Sequence, residues 1–355
     1  MPKWSPSRFH RYRARLFSLL FAYTLALVAF AAALRALSLR GFSKTPFPAQ
    51  KAPVSLLIIV LGYNRPLALR RLLESLAKVN WLQTRIDLRV WIDAGDIAAS
   101  YDVARGFHWD HGQKIVRQRL RHHGLCGSWL NAWPAWDTHE YALILEDDLE
   151  VHPQIFEVFQ YLIAKGVRAN ASGFILEKLA EVPCGSLVHY ASSWAPVFSR
   201  RLFQDFARWY DSRRKCAPDF RPFIRGHDET YNLWIREHRD VWSPWLRRFL
   251  FERGIALTYL GSLDLVHNHQ ERGSSRKGAS PFFIRTVDWR HIELDLIDTC
   301  VVREPPVYEC FLKASKHFCT RLDGNRSSLV DRGWIEFLTD KLWICSPSAP
   351  SVKAK

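Results

Sequence analysis

Three apolar runs, each ending in polar or acidic residues, constrain this chain more than any other feature. VSLLIIVLGYN (54–64), IDLRVWIDAGD (86–96) and YALILEDDLEV (141–151) are continuous in β-branched and aliphatic residues. A strand that faces water on one side alternates, so runs like these belong to strands buried on both faces, as in a parallel sheet. Between the first two lies PLALRRLLESLAKVN, with Pro66 suited to a first helical turn and leucines at 69, 72, 73 and 76 on one face. Strand, helix and strand with polar residues at the strand ends describe a doubly wound α/β sheet, whose ligands bind outside the carboxyl ends of the strands.

The third run ends in Glu146, Asp147 and Asp148, with Glu150 close behind. A single acid there would be a helix cap, favoured by the positive end of the following helix. Three in one turn repel one another, and a divalent cation that takes one or two carboxylates together with substrate phosphates relieves that repulsion. The motifs of other nucleotide sites, GxGxxG and GxxxxGK[ST], are missing from the sequence, as are the CxxC and HExxH patterns of zinc sites.

The ordered series VSLLIIVLGYNRP, VWIDAG, HHGLCGSWLNAW and YALILEDDLEVHPQIF resembles the GT-A glycosyltransferases that use nucleotide-sugars, over about residues 54–275. The acid turn is especially similar to that of N-acetylglucosaminyltransferase I, and the whole chain looks like a family 2-like set. The resemblance implies a GT-A fold, a Rossmann-like, doubly wound mixed sheet, and a Mn2+ (or Mg2+) cofactor. It implies donor contacts from Tyr63, Asn64 and Arg65 after the first strand, from Asp93, and from Glu146 and Asp147. Asp148 matches the direct metal ligand. LDLVHNHQERG (263–273) resembles a late segment whose histidine reaches the metal or diphosphate, which nominates His269 beside His267 and Asn268.

Transfer with inversion also needs a general base to take the acceptor proton. Asp228, in RGHDETYNLWIREHRD, and Asp240, ahead of a Ser243 cap and Pro244, are the candidates, with Glu229 and Glu252 nearby. N-acetylglucosaminyltransferase I has adjacent aspartates before a tryptophan in the comparable region, whereas here Trp242 is followed by Ser243, so the base stays open between the two candidates. SSWAPVFSRRLFQDFARWYD (192–211) has Phe203, Phe206 and Trp209 at helical spacing, a core pattern, with Tyr210 beside them. The resemblance sets Ser193 and Trp194 of the same stretch beside the donor sugar.

Leu16 to Leu34 is 19 residues without a charge, enough to cross about 30 Å of hydrocarbon. Lys3, Arg8, Arg11, Arg13 and Arg15 precede it, which favours a cytoplasmic N-terminus and a type II anchor. A cleaved signal peptide or a transit segment are the alternatives. The expected organisation is a tail at 1–15, a span at 16–34, a stem at 35–53, a transferase domain at 54–290 and a C-terminal extension at 291–355. Such a chain would work in the lumen of the Golgi or ER, on a glycan or glycoprotein acceptor. There the sequons at Asn170 and Asn325 and the cysteine cluster Cys300, Cys310, Cys319 and Cys345 become usable. Seven cysteines leave at least one unpaired within the chain, with Cys126, Cys184 and Cys216 the candidates.

The net charge of +15 is spread singly among aromatics rather than in blocks, so nucleic acid is not an expected partner. A GT-A-like luminal protein that binds or scaffolds without catalysis is the alternative to an enzyme.

Overall fold

The computed structural model describes residues 54–167, 172–179, 181–190, 193–224, 229–269, 287–313 and 316–321. The chain divides into two compact units, Met1–Ala49 and Gln50–Lys355, and every described residue belongs to the second. The expected tail, span and stem lie outside the described residues, as do Asp228 and both sequon asparagines. Among the described residues no helix is long and apolar enough to cross a membrane.

Strand β1 (Leu56–Gly62) is buried at every residue and leads through Tyr63–Arg65 into helix α1 (Pro66–Ala77). Pro66 stands in the first helical turn, and Leu69, Leu72, Leu73 and Leu76 turn inward. Strand β2 (Asp87–Ile92), helix α2 (Ala98–Gly106), strand β3 (Lys114–Gln118), helix α3 (Gly124–Leu130) and strand β4 (Tyr141–Glu146) follow. All four strands are parallel, in the spatial order β3-β2-β1-β4. The chain therefore winds outward from β1 and returns on its other side. The topological switch point lies between β1 and β4, where loops diverge and leave a crevice.

The run read as one strand over 141–151 divides in two. After Glu146 the chain turns through Asp147 and Asp148 and resumes as β5 (Leu149–Val151), which leaves the main sheet. A continuous strand would point Asp147 and Asp148 to opposite faces. The turn lets both meet the same guanidinium, that of Arg65.

Helix α4 (Ile155–Ala164) leads to β6 (Gly173–Ile175), β7 (Leu187–His189), β8 (Val197–Ser199) and helix α5 (Arg200–Cys216). Helices α6 (Glu229–Arg236) and α7 (Ser243–Arg253) precede β9 (Leu257–Tyr259) and β10 (Val266–Asn268). Helix α8 (Leu294–Asp298), β11 (Val307–Lys313) and β12 (Lys316–Arg321) complete the described chain. Ten strands form one mixed sheet among the described residues, in the order β12-β11-β7-β9-β6-β8-β4-β1-β2-β3, and β10 pairs antiparallel with β5. Its first reversal comes at β8, antiparallel to β4.

Phe203, Phe206 and Trp209 of α5 pack with Leu246, Phe249 and Leu250 of α7, and with Trp129, Trp133 and Trp242, against one face of the sheet. Burying an aromatic side chain of this kind contributes about 1.5–3 kcal/mol. Ser243 is not the cap of α7: it is the first helical residue, and Trp242 precedes it without a side-chain cap.

Strands β11 and β12, within the stretch read from the sequence as an extension, join the same sheet. β11 lies parallel to β7, with Val307 opposite Leu187. Cys300 pairs with Cys184, and the Tyr161 hydroxyl donates to Asp298 at 2.6 Å. The sequence hid this because β11 needs β7 for a neighbour, 120 residues earlier in the chain, and local periodicity carries no such information.

Candidate active site

The switch point brings the turns after β1 and β4 together. The Tyr63 backbone N–H donates to Asp147 Oδ2 at 3.0 Å. Arg65 Nη1 donates to Asp148 Oδ2 at 2.8 Å, while its Nη2 forms an ion pair with Asp147 Oδ1 that lacks hydrogen-bond geometry. Asp147 and Asp148 are both buried. Glu146, at the end of β4, accepts from Trp129 Nε1 at 2.9 Å.

One guanidinium faces three carboxylates, and the imbalance registers in their acidities. Burial, and then the charge of Asp148, push Glu146 up to about 8, against the indole N–H of Trp129. Burial pushes Asp147 up to about 6, although Arg65 pulls the other way. Burial alone would lower the Arg65 guanidinium, but Asp147, Asp148 and Glu146 outweigh it and raise it further, so the group is always charged. The turn is thus short of positive charge.

That shortage is the test of whether a divalent cation fits. The donors are hard carboxylate oxygens, suited to Mn2+ or Mg2+. Among the described residues no group of three His, Cys, Asp or Glu side chains converges as an all-protein cage. Two carboxylates, with the remaining ligands from phosphate and water, are what a Mg2+-like site uses, and Asp147 with Asp148 fit that requirement.

His269 reaches the acid turn through the β5–β10 ribbon. Its backbone N–H donates to the Asp148 carbonyl at 3.0 Å, and its Nε2 meets Glu150 Oε2 at 2.9 Å. Within the ribbon His267 lies opposite Glu150 and Asn268 opposite Leu149. The His269 imidazole is therefore beside the turn, engaged by Glu150 rather than by Asp148.

Asp93, at the end of β2, is saturated by this chain's own donors. Its carboxylate accepts from the backbone N–H groups of Ala94, His123 and Gly124 and pairs with His122 Nδ1 at 2.9 Å. It thereby holds the start of α3 to β2, the office of a helix cap supplied from a distance. The contact expected with ribose or base would compete with these bonds. The ring of Tyr63 tilts over His122, with centroids 5.2 Å apart. A Cβ at Gly95, whose φ is +151°, would come within 2.6 Å of the Tyr63 hydroxyl, so that position admits glycine alone. Asn64 is exposed beside it.

Asp240 also approaches the start of α3. A Cβ at Gly124, where φ is +68°, would lie 2.6 Å from Asp240 Oδ2. Asp240 also faces the buried thiol of Cys126, which burial first and Asp240 second push up to about 12, so that sulfur stays protonated. Trp242 stacks on Trp129 with centroids 3.8 Å apart and 19° between the planes. A single side chain, Trp129, so joins the acid turn to the segment carrying Asp240. Ser193 and Trp194 precede β8; the β4–β8 register, carried on by the bond from Ile144 N to the Pro196 carbonyl, runs this loop along the Glu146 end of β4.

Glu252 is not a free acid. It accepts from Trp209, Arg213 and Arg248 in a buried cluster that ties α5 to α7. Trp129, Trp242, His122 and the two glycines carried no assigned role in the sequence reading. HHGLCGSWLNAW contains three of them, but nothing in its spacing says that an indole N–H will meet a carboxylate 17 residues on.

No protein-family model matches the chain, and no curated protein matches it. It is similar to solved structures of glycosyltransferases. S. aureus TarS 1–349 in complex with UDP is 15% identical over 59% of this chain and 58% of that one, with a TM-score of 0.39. The mannosyltransferase PcManGT from Pyrobaculum calidifontis, in complex with GDP-Man and Mn2+, is 15% identical over 53% and 56%, with a TM-score of 0.37. A longer S. aureus TarS structure is 16% identical over 43% of this chain and 30% of that one, with a TM-score of 0.33. The chain thus spans about a third to three fifths of the lengths of these structures. At such identities and scores the likeness carries nothing further, and the chemistry rests on this chain's own residues.

Proposed function

We propose that the protein transfers a sugar from a nucleotide-sugar donor to a hydroxyl of a glycan or glycoprotein, with inversion at the anomeric carbon. The observation that carries it is the meeting of Tyr63 and Arg65 with Asp147 and Asp148 across the switch point between β1 and β4. The motif series from residue 54 to 156 supports a nucleotide-sugar rather than another ligand of such crevices. Uridine diphosphate N-acetylglucosamine is the first donor to try, on the similarity of the acid turn to that of N-acetylglucosaminyltransferase I.

In this scheme Arg65 and the turn after β1 bind the diphosphate, which a guanidinium recognises in bidentate fashion. Asp148 and Asp147 would hold Mn2+ or Mg2+, with His269 alongside, and the ion when bound supplies charge screening for the leaving diphosphate. The bond from the anomeric carbon to the diphosphate oxygen breaks with its electron pair on the diphosphate. The new bond forms from the acceptor oxygen, whose proton goes to a carboxylate base. Asp228 and then Asp240 are the candidates for that base, and Asp240 is the one among the described residues. Trp129 holds Glu146 in place, and Ser193 and Trp194 offer a wall for the sugar.

The Cys184–Cys300 disulfide supports an oxidising compartment. With the apolar run at 16–34, it fits a single-pass anchor and a catalytic unit in the lumen of the Golgi or ER.

The test is release of nucleoside diphosphate by the full chain from a panel of nucleotide-sugars, with and without Mn2+, beside Asp148→Ala. Metal-dependent release that falls on the order of a thousandfold in the variant supports the assignment. Binding of donor and metal with no turnover on any acceptor would favour a silent GT-A-like binding protein. No binding of any nucleotide would end the transferase reading.

A further inference from the structure

We propose that Arg65 is a gate on the acid turn: without a donor its guanidinium holds Asp147 and Asp148 closed to a divalent cation, and the diphosphate of an incoming donor draws it off. The gate deepens the function proposed above and rests on it. Its consequence is an order of events in which the metal binds tightly only together with a nucleoside diphosphate.

Arg65 is the cation that already meets both carboxylates, Asp148 through Nη1 at 2.8 Å and Asp147 through Nη2. A metal ion using Asp148 and Asp147 would need oxygens that the guanidinium now covers, and would stand beside a like charge that no accessible pH removes. Metal and Arg65 therefore exclude one another at this turn.

Its attachment allows the side chain to leave. Arg65 is the last residue before α1, and its carbonyl accepts from Leu69 N at 3.0 Å, so the backbone is fixed by the helix. Moving the guanidinium requires side-chain rotation alone, a small change against the loss of rotamer freedom in a fully buried side chain. The Arg65 side chain is 22% exposed, against 1% for Asp147 and 12% for Asp148, so Arg65 is the member of the cluster most open to solvent. Once off the turn it stays at the start of α1, whose first turn holds no acidic side chain. An anion there would meet the guanidinium and the positive end of a helix of 12 residues together. A diphosphate suits that place and also carries oxygens for the metal, so it opens the carboxylates as it brings ligands to the ion. Arg65 thus acts on metal affinity through Asp147 and Asp148, as a positioning residue.

The experiment is a titration of the full 355-residue chain with Mn2+, followed by the electron paramagnetic resonance of free Mn2+. It is run without nucleotide and with saturating UDP or GDP, taking protein-free Mn2+–nucleotide as the blank. Arg65→Gln, which is shorter and keeps polarity but not charge, is expected to bind Mn2+ alone at least tenfold more tightly than the unaltered chain. Nucleoside diphosphate should tighten Mn2+ binding by the unaltered chain and change the variant far less. Arg65→Lys, a cation without the two-pronged fork, should fall between them, and it carries the test if the glutamine variant does not fold by circular dichroism. Equal Mn2+ affinity of the unaltered chain and both variants without nucleotide would overturn the gate. Tighter Mn2+ binding in the variants with no response of the unaltered chain to UDP or GDP would overturn the diphosphate trigger. Asp148→Asn separates the two levels: if it binds Mn2+ as the unaltered chain does in every state, the metal reading of the turn fails, and the gate with it.

Discussion

At the scale of single residues, the acid turn is a balance between burial and charge. Glu146 and Asp147 have folded-state pKa values raised from 4.5 to about 8 and from 3.8 to about 6. The folded protein therefore keeps protons that the unfolded chain has released. The stability these two groups contribute is present below pH 3.8–4.5 and is lost as pH rises through 6 and 8. Urea midpoints of the metal-free protein between pH 4 and 9 should show a decline that Glu146→Gln makes shallower. Asp137 acts in the opposite sense: burial would raise it, but hydrogen bonds from His139 prevail and hold it below its usual value, so its contribution is lost toward acid pH. Trp129→Phe keeps a ring to stack on Trp242 and removes the N–H that Glu146 accepts. A cost of about 1–3 kcal/mol in urea unfolding is expected for stranding that buried acceptor, with Glu146 moving further up in a pH titration. An unchanged midpoint would mean that Glu146 finds another donor.

At the scale of elements, most of the structure near the site was legible because it is local. β1, α1 and β2 follow from apolar run, proline and leucine spacing, each a property of a dozen neighbouring residues. The core pattern of Phe203, Phe206 and Trp209 was legible for the same reason, since helical spacing alone brings them to one face. The break of the 141–151 run was not, because the group that both acids of the turn meet, Arg65, lies 83 positions from Asp148 in sequence. The pairing of β10 with β5, which carries His269 to the acid turn, is likewise a contact between segments more than a hundred residues apart. The disulfide between Cys184 and Cys300 was open to many partners, as seven cysteines allow. It fastens the loop before β7 to the end of α8, across 116 residues. Replacing both cysteines by serine should cost about 2–4 kcal/mol, read as a lower melting temperature by calorimetry. Loss of far more would mean that β11 depends on the bridge to join the sheet.

At the scale of the whole molecule, the boundary expected at residue 290 does not divide the fold, since β11 continues the sheet from β7 and β12 from β11. Of the described cysteines, Cys184, Cys216, Cys300 and Cys319 are disulfide-bonded and Cys126 is a free, buried thiol. A chain of this kind, expressed whole in a secretory cell, should be protected from protease in sealed microsomes and should lose mass on digestion with an N-glycosidase. Full protease sensitivity without glycan would refute the luminal assignment.

The sequence by itself determined the parallel, doubly wound half of the sheet and the acid cluster at a strand end, because buried strands and amphipathic helices are written in the hydrophobicity of neighbouring residues. Only the tertiary structure decided what the cluster faces. Arg65 on Asp147 and Asp148, Trp129 on Glu146, Asp93 on the start of α3 and Glu150 on His269 are electrostatic pairings made across strand ends. Such pairings depend on distance and burial in three dimensions, and residue order specifies neither until the sheet has brought its strands together.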